Sequence, residues 1–179
     1  MKNITYITGN QHKADYLANY LGHPIEYQKV DLDEIQSMDL MEIVRHKVRQ
    51  AYNVIKKPVV VEDTSLEFKA LGGLPGPFIK HFLKQMSEED ICSLLDGKDR
   101  AANARCVFGY FDGENEVYFE GGVGGTVAEK PAGNGGYGFD RIFIPEGGSF
   151  TRAEQNEEDH KITYLKMKPI MQLKEFLEK

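Results

Sequence analysis

The stretch "VVVED", residues Val59–Asp63, decides the fold class of this chain. Three consecutive valines predict a strand buried on both faces, which is typical of a parallel sheet covered by helices. Pro58 comes directly before the run and ends a helical pattern, because proline cannot continue a helix. Two acids follow the valines, so this strand carries a pair of carboxylates to the place where we expect it to end.

The segments before the valine strand alternate between strand and helix patterns. Asp39 and Glu42 form a capping-box pattern, and Gly22 is placed to end an earlier helix. The alternation predicts an α/β fold with at least partly parallel pairing. The predicted elements are a strand at 4–7, a helix at 12–21, a strand at Ile25–Val30, and a helix whose apolar stripe is Met41, Val44, Val48, Ala51 and Ile55.

The segments after the valine strand change character. Asp112 and Gly113 form a hairpin turn signal between two strand patterns within 104–127, so the middle of the sheet is expected to be antiparallel. The other predicted elements are an irregular loop at 71–77, helices at 78–86 and after Ser87, a glycine-rich loop at 130–140, a short strand at 141–145, and a helix from about Pro169.

Composition limits the classes of function that the chain can have. Its 179 residues, 41% of them hydrophobic, suit one domain spanning 1–179. A net charge of −6 argues against a nucleic acid polymer as partner, since such binders usually carry a basic face. Cys92 and Cys106 are too few for a disulfide framework and are expected to be core residues. Because no apolar run approaches the ~18 residues of a membrane span, we expect a cytoplasmic protein that does not enter a membrane.

The segment "TGNQHK", residues 8–13, joins the first strand to the first helix. Backbone N–H groups at a helix start lack partners and the helix dipole is positive there, so this turn suits an anion, with Lys13 adding charge. The alternative is that Thr8 or Asn10 only caps the helix and Lys13 is solvated, since the spacing is not that of the G-x-x-x-x-G-K-[ST] phosphate loop.

Three acids are placed where ligands collect in open α/β sheets, beyond the carboxyl ends of strands. They are Glu34, after the second strand, and the pair Glu62 and Asp63. Oxygen ligands of this kind suit Mg²⁺, which takes one or two protein carboxylates and completes its shell with water and phosphate. The alternatives are that Glu34 is a surface acid, that Asp63 caps a turn, and that Lys47 and Lys80 are solvated.

Several segments together resemble the inosine triphosphate pyrophosphatase family. They are "TGNQHK", "DLDEIQ", "VVVEDTSLEFKALGGLPGPFIKHFL", "GNGGYGFDRIFIPEG" and "TRAE", and they occur in the family's order over most of the chain. The resemblance implies an elongated mixed sheet with flanking helices and a homodimer. It also implies Mg²⁺-dependent hydrolysis of a nucleoside triphosphate, with deaminated purines such as ITP, dITP or XTP first, to monophosphate and pyrophosphate.

The same resemblance assigns roles to individual residues. Asp63 matches the proton acceptor and, with Glu34, the metal-associated acids, and Phe139 stands at a stacking position. Glu62 is a further catalytic candidate because it forms the acid pair with Asp63. The residues matched to substrate are the turn Thr8, Gly9, Asn10 and Lys13, the lysines Lys47 and Lys80, Thr64, and the base-and-sugar loop Tyr137, Gly138, Phe139 and Asp140.

The C-terminal segment departs from the family. Where relatives read the purine with Ser-His-Arg, the best register gives Thr163-Tyr164-Leu165, with Asp159 or His160 in place of a preceding lysine. Lys161 is the nearest substitute cation. A bidentate contact to a purine carbonyl cannot come from leucine.

A second departure is Arg141, where the family has proline; its guanidinium either lies near the substrate or faces solvent. Two rival functions therefore stay open: pyrophosphohydrolysis of another nucleotide, and nucleotide binding without turnover.

Overall fold

A computed structural model describes residues 2–179 of this chain. Strands and helices alternate through its first half, as the sequence predicts. Within the described residues the elements are β1 Thr5–Ile7, α1 Gln11–Leu21, β2 Glu26–Gln28, α2 Leu40–Ile55, β3 Val59–Phe68, β4 Pro75–Gly76, α3 Ile79–Gln85, α4 Glu88–Ser93, β5 Ala101–Phe111, β6 Glu116–Val127, β7 Phe143–Pro145, α5 Glu157–Met167 and α6 Ile170–Glu178.

The strands form one mixed sheet in the order β2-β1-β3-β5-β6-β7, with β4 paired to β3. β1 is parallel to both β2 and β3, whereas β7 is antiparallel to β6. The short connection at 112–115 reverses the chain between β5 and β6, because only antiparallel strands can be joined by so few residues. The predicted α/β class, with a mixed sheet, flanking helices and an antiparallel hairpin, is confirmed.

The described residues form two compact units. The first comprises residues up to Asp63, Cys106–Glu120 and Pro169–Lys179, and the second comprises Thr64–Arg105 and Gly121–Lys168. β3, β5 and β6 each contribute residues to both units. The single domain expected from chain length stays a prediction.

Helix α2 packs through the stripe that its sequence predicts. Asp39 caps it by accepting from the N–H groups of Met41 and Glu42, so two otherwise unpaired donors are satisfied. Val44 and Val48 are fully buried in one core cluster with Val59 and Val61 of β3. Each such side chain contributes about 1.5–3 kcal/mol by leaving water. The helix is thereby fixed against the strand that carries the paired acids.

Some elements differ from the sequence predictions. β3 does not end at its acids but continues to Phe68, so Glu62 and Asp63 lie within the strand. The extension follows from Thr64 and the alternating residues after it, which suit a half-buried strand. Helix α5, capped by Asn156, was not predicted at all. Both cysteines are buried as expected, and burial raises the pKa of Cys92 to about 11.

The predicted hairpin turn is held by a carboxylate. Asp112 Oδ1 accepts from the N–H groups of Glu114 at 3.0 Å and Asn115 at 2.7 Å, and the Tyr110 hydroxyl donates to Oδ2 at 3.0 Å. Desolvation works against the charged carboxylate, but these donors outweigh it and lower the pKa of Asp112 from 3.8 to about 2. The ionised form of Asp112 therefore stabilises the folded hairpin.

We expect Asp112→Asn to lower the free energy of unfolding at pH 7 by about 0.5–1.5 kcal/mol, because an amide oxygen accepts more weakly than a carboxylate and solvent screens the charge at this surface turn. Since the pKa is lower in the folded protein, the wild-type advantage is complete above the unfolded value of 3.8 and is lost as the pH falls through about 2. Urea unfolding of both proteins across this range measures the difference. A difference that is the same at every pH would contradict the role given to the charge.

Candidate functional site

The turn between β1 and α1 is ordered by its own side chains. Asn10 caps α1, its side chain accepting from the N–H of Lys13 at 3.4 Å, and the N–H of Asn10 donates to Thr8 Oγ1 at 3.1 Å. The first-turn N–H groups of Gln11 and His12 have no helical carbonyl to reach, which leaves donors directed out of the helix start. The capping alternative therefore describes Asn10 correctly, while its side chain accepts from the N–H of Lys13 and not from the N–H groups of Gln11 and His12.

Lys13 forms an ion pair with Glu62. Its Nζ lies 2.7 Å from Glu62 Oε1, and the Glu62 side chain is only 4% exposed. A carboxylate this deeply buried needs a partner, because an uncompensated buried charge is strongly destabilising. The pair therefore holds the ammonium of Lys13 between its own helix start and β3, instead of leaving it extended in solvent.

Lys47, on α2, contacts two carboxylates. Its Nζ lies 2.6 Å from Asp63 Oδ2 and 3.3 Å from Glu34 Oε1. Burial disfavours its charged form, but the neighbouring carboxylates of Asp63 and Glu34 outweigh that effect and raise the pKa of Lys47 above its ordinary value. Lys47 is therefore a cation at neutral pH, and it is not the solvated helix residue of the alternative.

The donor set around Lys47 fits a hard divalent cation. Within residues 2–179, no group of three or more His, Cys, Asp or Glu side chains is placed to hold a metal ion. Glu34 and Asp63, however, both lie within 3.3 Å of one nitrogen and are 45% and 23% exposed. Mg²⁺ commonly uses one or two accessible carboxylates as its protein ligands and completes its shell with water and phosphate.

The glycine-rich loop of the second unit is anchored by Asp140. This carboxylate is buried, accepts from the N–H of Tyr137 at 3.0 Å, and lies 3.4 Å from Nη1 of the buried Arg152. The aromatic residue that the loop exposes is Tyr137, whereas Phe139 is buried and packs edge-on against Phe143. The predicted stacking contact of Phe139 with a base is not tested by this arrangement.

The C-terminal departure from the family lies on α5. Tyr164 is buried, and its hydroxyl accepts from the Tyr137 hydroxyl at 3.2 Å. Two buried cations, Arg152 and Lys168, lie over its ring at 5.7 and 5.2 Å. Tyr164 is thus part of the support for the exposed Tyr137, which sequence reasoning missed because the two residues are distant in the chain.

The remaining predicted residues occupy separate elements of the second unit. Arg141 donates to the Gly133 carbonyl at 3.0 Å and to Glu88 at 2.6 Å, so its guanidinium ties the glycine-rich loop to α4. Thr64 follows Asp63 on β3 and is half-buried. The other three are exposed: Gly138 on the glycine-rich loop, Lys161 on α5, and Lys80 in the first turn of α3.

These features define a mixed α/β protein with an anion-suited helix start beside lysine-paired carboxylates. The sequence model of the Ham1 family matches residues 4–176, and the chain belongs to that family.

Its relatives confirm the resemblance found in the sequence. Inosine triphosphate pyrophosphatase 2 of Trypanosoma cruzi is 46% identical over 166 residues, covering 89% of this chain and 85% of that protein. The inosine triphosphate pyrophosphatase of Schizosaccharomyces pombe is 37% identical over 183 residues, covering 99% and 96%.

Solved structures agree with the fold. The Ham1 protein of Staphylococcus aureus superposes with a TM-score of 0.83 at 26% identity, covering 99% of this chain and 98% of the other. A HAM1 protein of Coxiella burnetii superposes with a TM-score of 0.86 at 22% identity, covering 99% of both chains. At that identity the second likeness concerns the fold alone.

We expect Asp140→Asn to lower the free energy of unfolding by about 3–5 kcal/mol, because it leaves the buried guanidinium of Arg152 without its carboxylate. Arg152 Nε already lacks a hydrogen-bond partner within residues 2–179. Adding Arg152→Met should recover part of the loss, since the unpaired charge is then gone. Urea unfolding of the single and double variants measures this coupling. A double variant whose loss equals the sum of the two single losses would contradict the pairing.

Proposed function

We propose that this protein hydrolyses a nucleoside triphosphate to the monophosphate and pyrophosphate. The observation that carries the proposal is the pairing of Lys13 with Glu62 and of Lys47 with Asp63 and Glu34, beside the helix start of α1. Phosphoryl-group hydrolysis needs cations on the phosphate oxygens and a carboxylate that orients the attacking water. The names of the relatives in Trypanosoma cruzi and Schizosaccharomyces pombe support the same reaction.

The two acids of β3 have different surroundings and therefore different proposed roles. Glu62 is 4% exposed and paired with Lys13, so it positions that ammonium for phosphate. Asp63 is 23% exposed and more accessible to water, so it accepts the proton as the water attacks. Thr8, Gly9, Asn10, Lys47, Thr64 and Lys80 are proposed to contact the rest of the substrate's phosphates and sugar.

Mg²⁺ is the proposed cofactor, with Glu34 and Asp63 as its protein ligands. When bound, it would neutralise charge on the phosphate oxygens. Lys47 donates to these two acids in this structure, and we propose that the same ammonium moves its contact to a phosphate oxygen when substrate and metal arrive.

Deaminated purine triphosphates are the proposed substrates, with Tyr137, Gly138, Phe139, Asp140 and Lys161 nearest the base and sugar. A homodimer in the cytoplasm, with neither nucleic acid nor membrane as partner, completes the proposal. No helix within residues 2–179 has the length and apolar character needed to cross a bilayer.

A panel of nucleoside triphosphates with Mg²⁺, analysed for phosphorus-containing products, tests the reaction. Monophosphate and pyrophosphate from ITP are expected. Orthophosphate and a diphosphate would place the cut at the wrong bond and overturn the proposal. Binding of every triphosphate in the panel with no turnover would favour the rival function, nucleotide binding without hydrolysis. The carboxylates beside Lys47 argue against that rival, because a protein that only binds nucleotides has little need for metal-holding acids.

We expect Asp63→Asn to reduce kcat by at least about a hundredfold while triphosphate binding changes only a few-fold, since the substitution removes a charge but little volume. Asp96→Asn is the matched control, because the Asp96 side chain is 73% exposed. Steady-state kinetics and calorimetric titration measure the two quantities. If the Asp63 variant turns over at the wild-type rate, Asp63 is structural and the assignment is wrong.

We also expect weaker selection of ITP over ATP than in relatives that carry Ser-His-Arg. A site discriminates strongly between two bases when the wrong base leaves one of the site's hydrogen-bonding groups without a partner. Stacking on an aromatic ring does not discriminate in this way, because every base can stack. Leu165→Arg should widen the ratio of kcat/KM for ITP and ATP. A wild-type protein that already strongly prefers ITP would show that other residues read the base.

A further inference from the structure

Lys29 is a cation beside the phosphate turn that sequence reasoning did not include. It follows β2 directly, and β2 is parallel to β1, with Gln28 level with Ile7. The N–H of Thr8 donates to the Gln28 carbonyl at 3.0 Å. Lys29 therefore leaves its strand at the edge of the sheet where the segment 8–13 begins.

The aliphatic part of Lys29 runs along the backbone of Gly9. A Cβ built on Gly9 would lie 3.3 Å from both Cγ and Cδ of Lys29 and 3.6 Å from its Cε. Three successive side-chain carbons of Lys29 thus pass Gly9, and a Cβ at this position would be closer to Cγ and Cδ than most Cβ contacts in proteins. The ammonium is one bond beyond Cε, so it too lies near the turn.

A hydrogen bond ties the end of β2 to the start of α1. The Tyr27 hydroxyl donates to the side-chain oxygen of Gln11. Tyr27 comes two residues before Lys29, and Gln11 comes two residues after Gly9. Together with the bond from Thr8 to Gln28, this hydrogen bond connects the end of β2 to the turn both before and after Gly9.

The ammonium of Lys29 differs from those of the other lysines at this edge in its partners. Lys13 is paired with Glu62, and Lys47 with Asp63 and Glu34. Over residues 2–179, the Lys29 ammonium forms neither an ion pair nor a hydrogen bond. An ammonium without a carboxylate partner, next to a helix start suited to anions, attracts a negative ligand to that turn.

We propose that Lys29 is a further phosphate-binding residue, whose ammonium contacts the polyphosphate held by residues 8–13. The inference rests on the proposed function and deepens it. Its contact is with phosphate and not with the base, so it strengthens the binding of any nucleoside triphosphate by the same factor. Its loss should raise KM for ITP and ATP equally and leave kcat unchanged, as expected for uniform binding.

Lys29→Met tests this contact, because methionine keeps an aliphatic stem against Gly9 and removes the charge. Lys29→Arg restores a cation, and Lys57→Met is the matched control, since Lys57 is an exposed lysine before the opposite, amino-terminal end of β3. Inorganic tripolyphosphate is the probe, titrated by calorimetry. We expect Lys29→Met to weaken binding about tenfold, as for loss of a charge-assisted hydrogen bond, Lys29→Arg to recover most of it, and Lys57→Met to have no effect.

Each other outcome overturns the inference in a distinct way. Wild-type affinity in Lys29→Met, with ITP still hydrolysed by the wild type, would overturn the Lys29 contact alone. Equal losses in the Met and Arg variants would assign the effect to packing against Gly9. A wild-type protein that neither binds tripolyphosphate nor hydrolyses ITP would overturn the proposed function and this inference together.

Discussion

The carboxylates of Glu34 and Asp63 share one ammonium, Lys47 Nζ, at 3.3 and 2.6 Å. Two carboxylates brought this near to each other repel, and a cation between them offsets that repulsion. Lys47 supplies that cation. One residue earlier on β3, the ammonium of Lys13 likewise compensates the charge of Glu62, whose carboxylate is almost fully buried. Lysines and acids are therefore held at this edge by each other.

The core of the first unit fixes where these charges lie. Lys47 precedes Val48, which is fully buried against the valines of β3, so the helix cannot turn its lysine away without exposing its apolar stripe. Lys13 is placed by the Asn10 cap, which sets where α1 begins. Apolar packing thus positions charged groups that would otherwise be mobile, and preorganised charges of this kind are what phosphate chemistry requires.

Local patterns in the sequence predicted much of this arrangement. The valine run predicted a buried strand, Asp39 and Gly22 marked helix ends, and Asp112-Gly113 marked the hairpin, because each signal depends only on neighbouring residues. The extension of β3 beyond Asp63 was missed, since two charged residues within a strand look like its end. Helix α5 was missed because its apolar residues form no clear stripe.

Contacts between distant residues were the other limit. The sequence placed Glu34 and Asp63 where the strands end, and the family resemblance matched Lys47 to substrate, but neither could state that one ammonium joins the two acids. The pairing of Asp140 with Arg152, and the path of Lys29 along Gly9, depend on how strands and loops meet in three dimensions. The signal for Lys29 existed in principle, as a lysine at the carboxyl end of a strand parallel to β1, but the strand bounds were needed to use it.

A crystal structure with Mg²⁺ and a non-hydrolysable α,β-methylene analogue of ITP would show where the metal and the phosphates bind. We expect Glu34 and Asp63 to bind the metal, residues 8–13 to surround the phosphates, and Lys47 to exchange a carboxylate for a phosphate oxygen. A structure in which the phosphates bind elsewhere, with Lys47 still bonded to both acids and no metal beside them, would contradict this expectation.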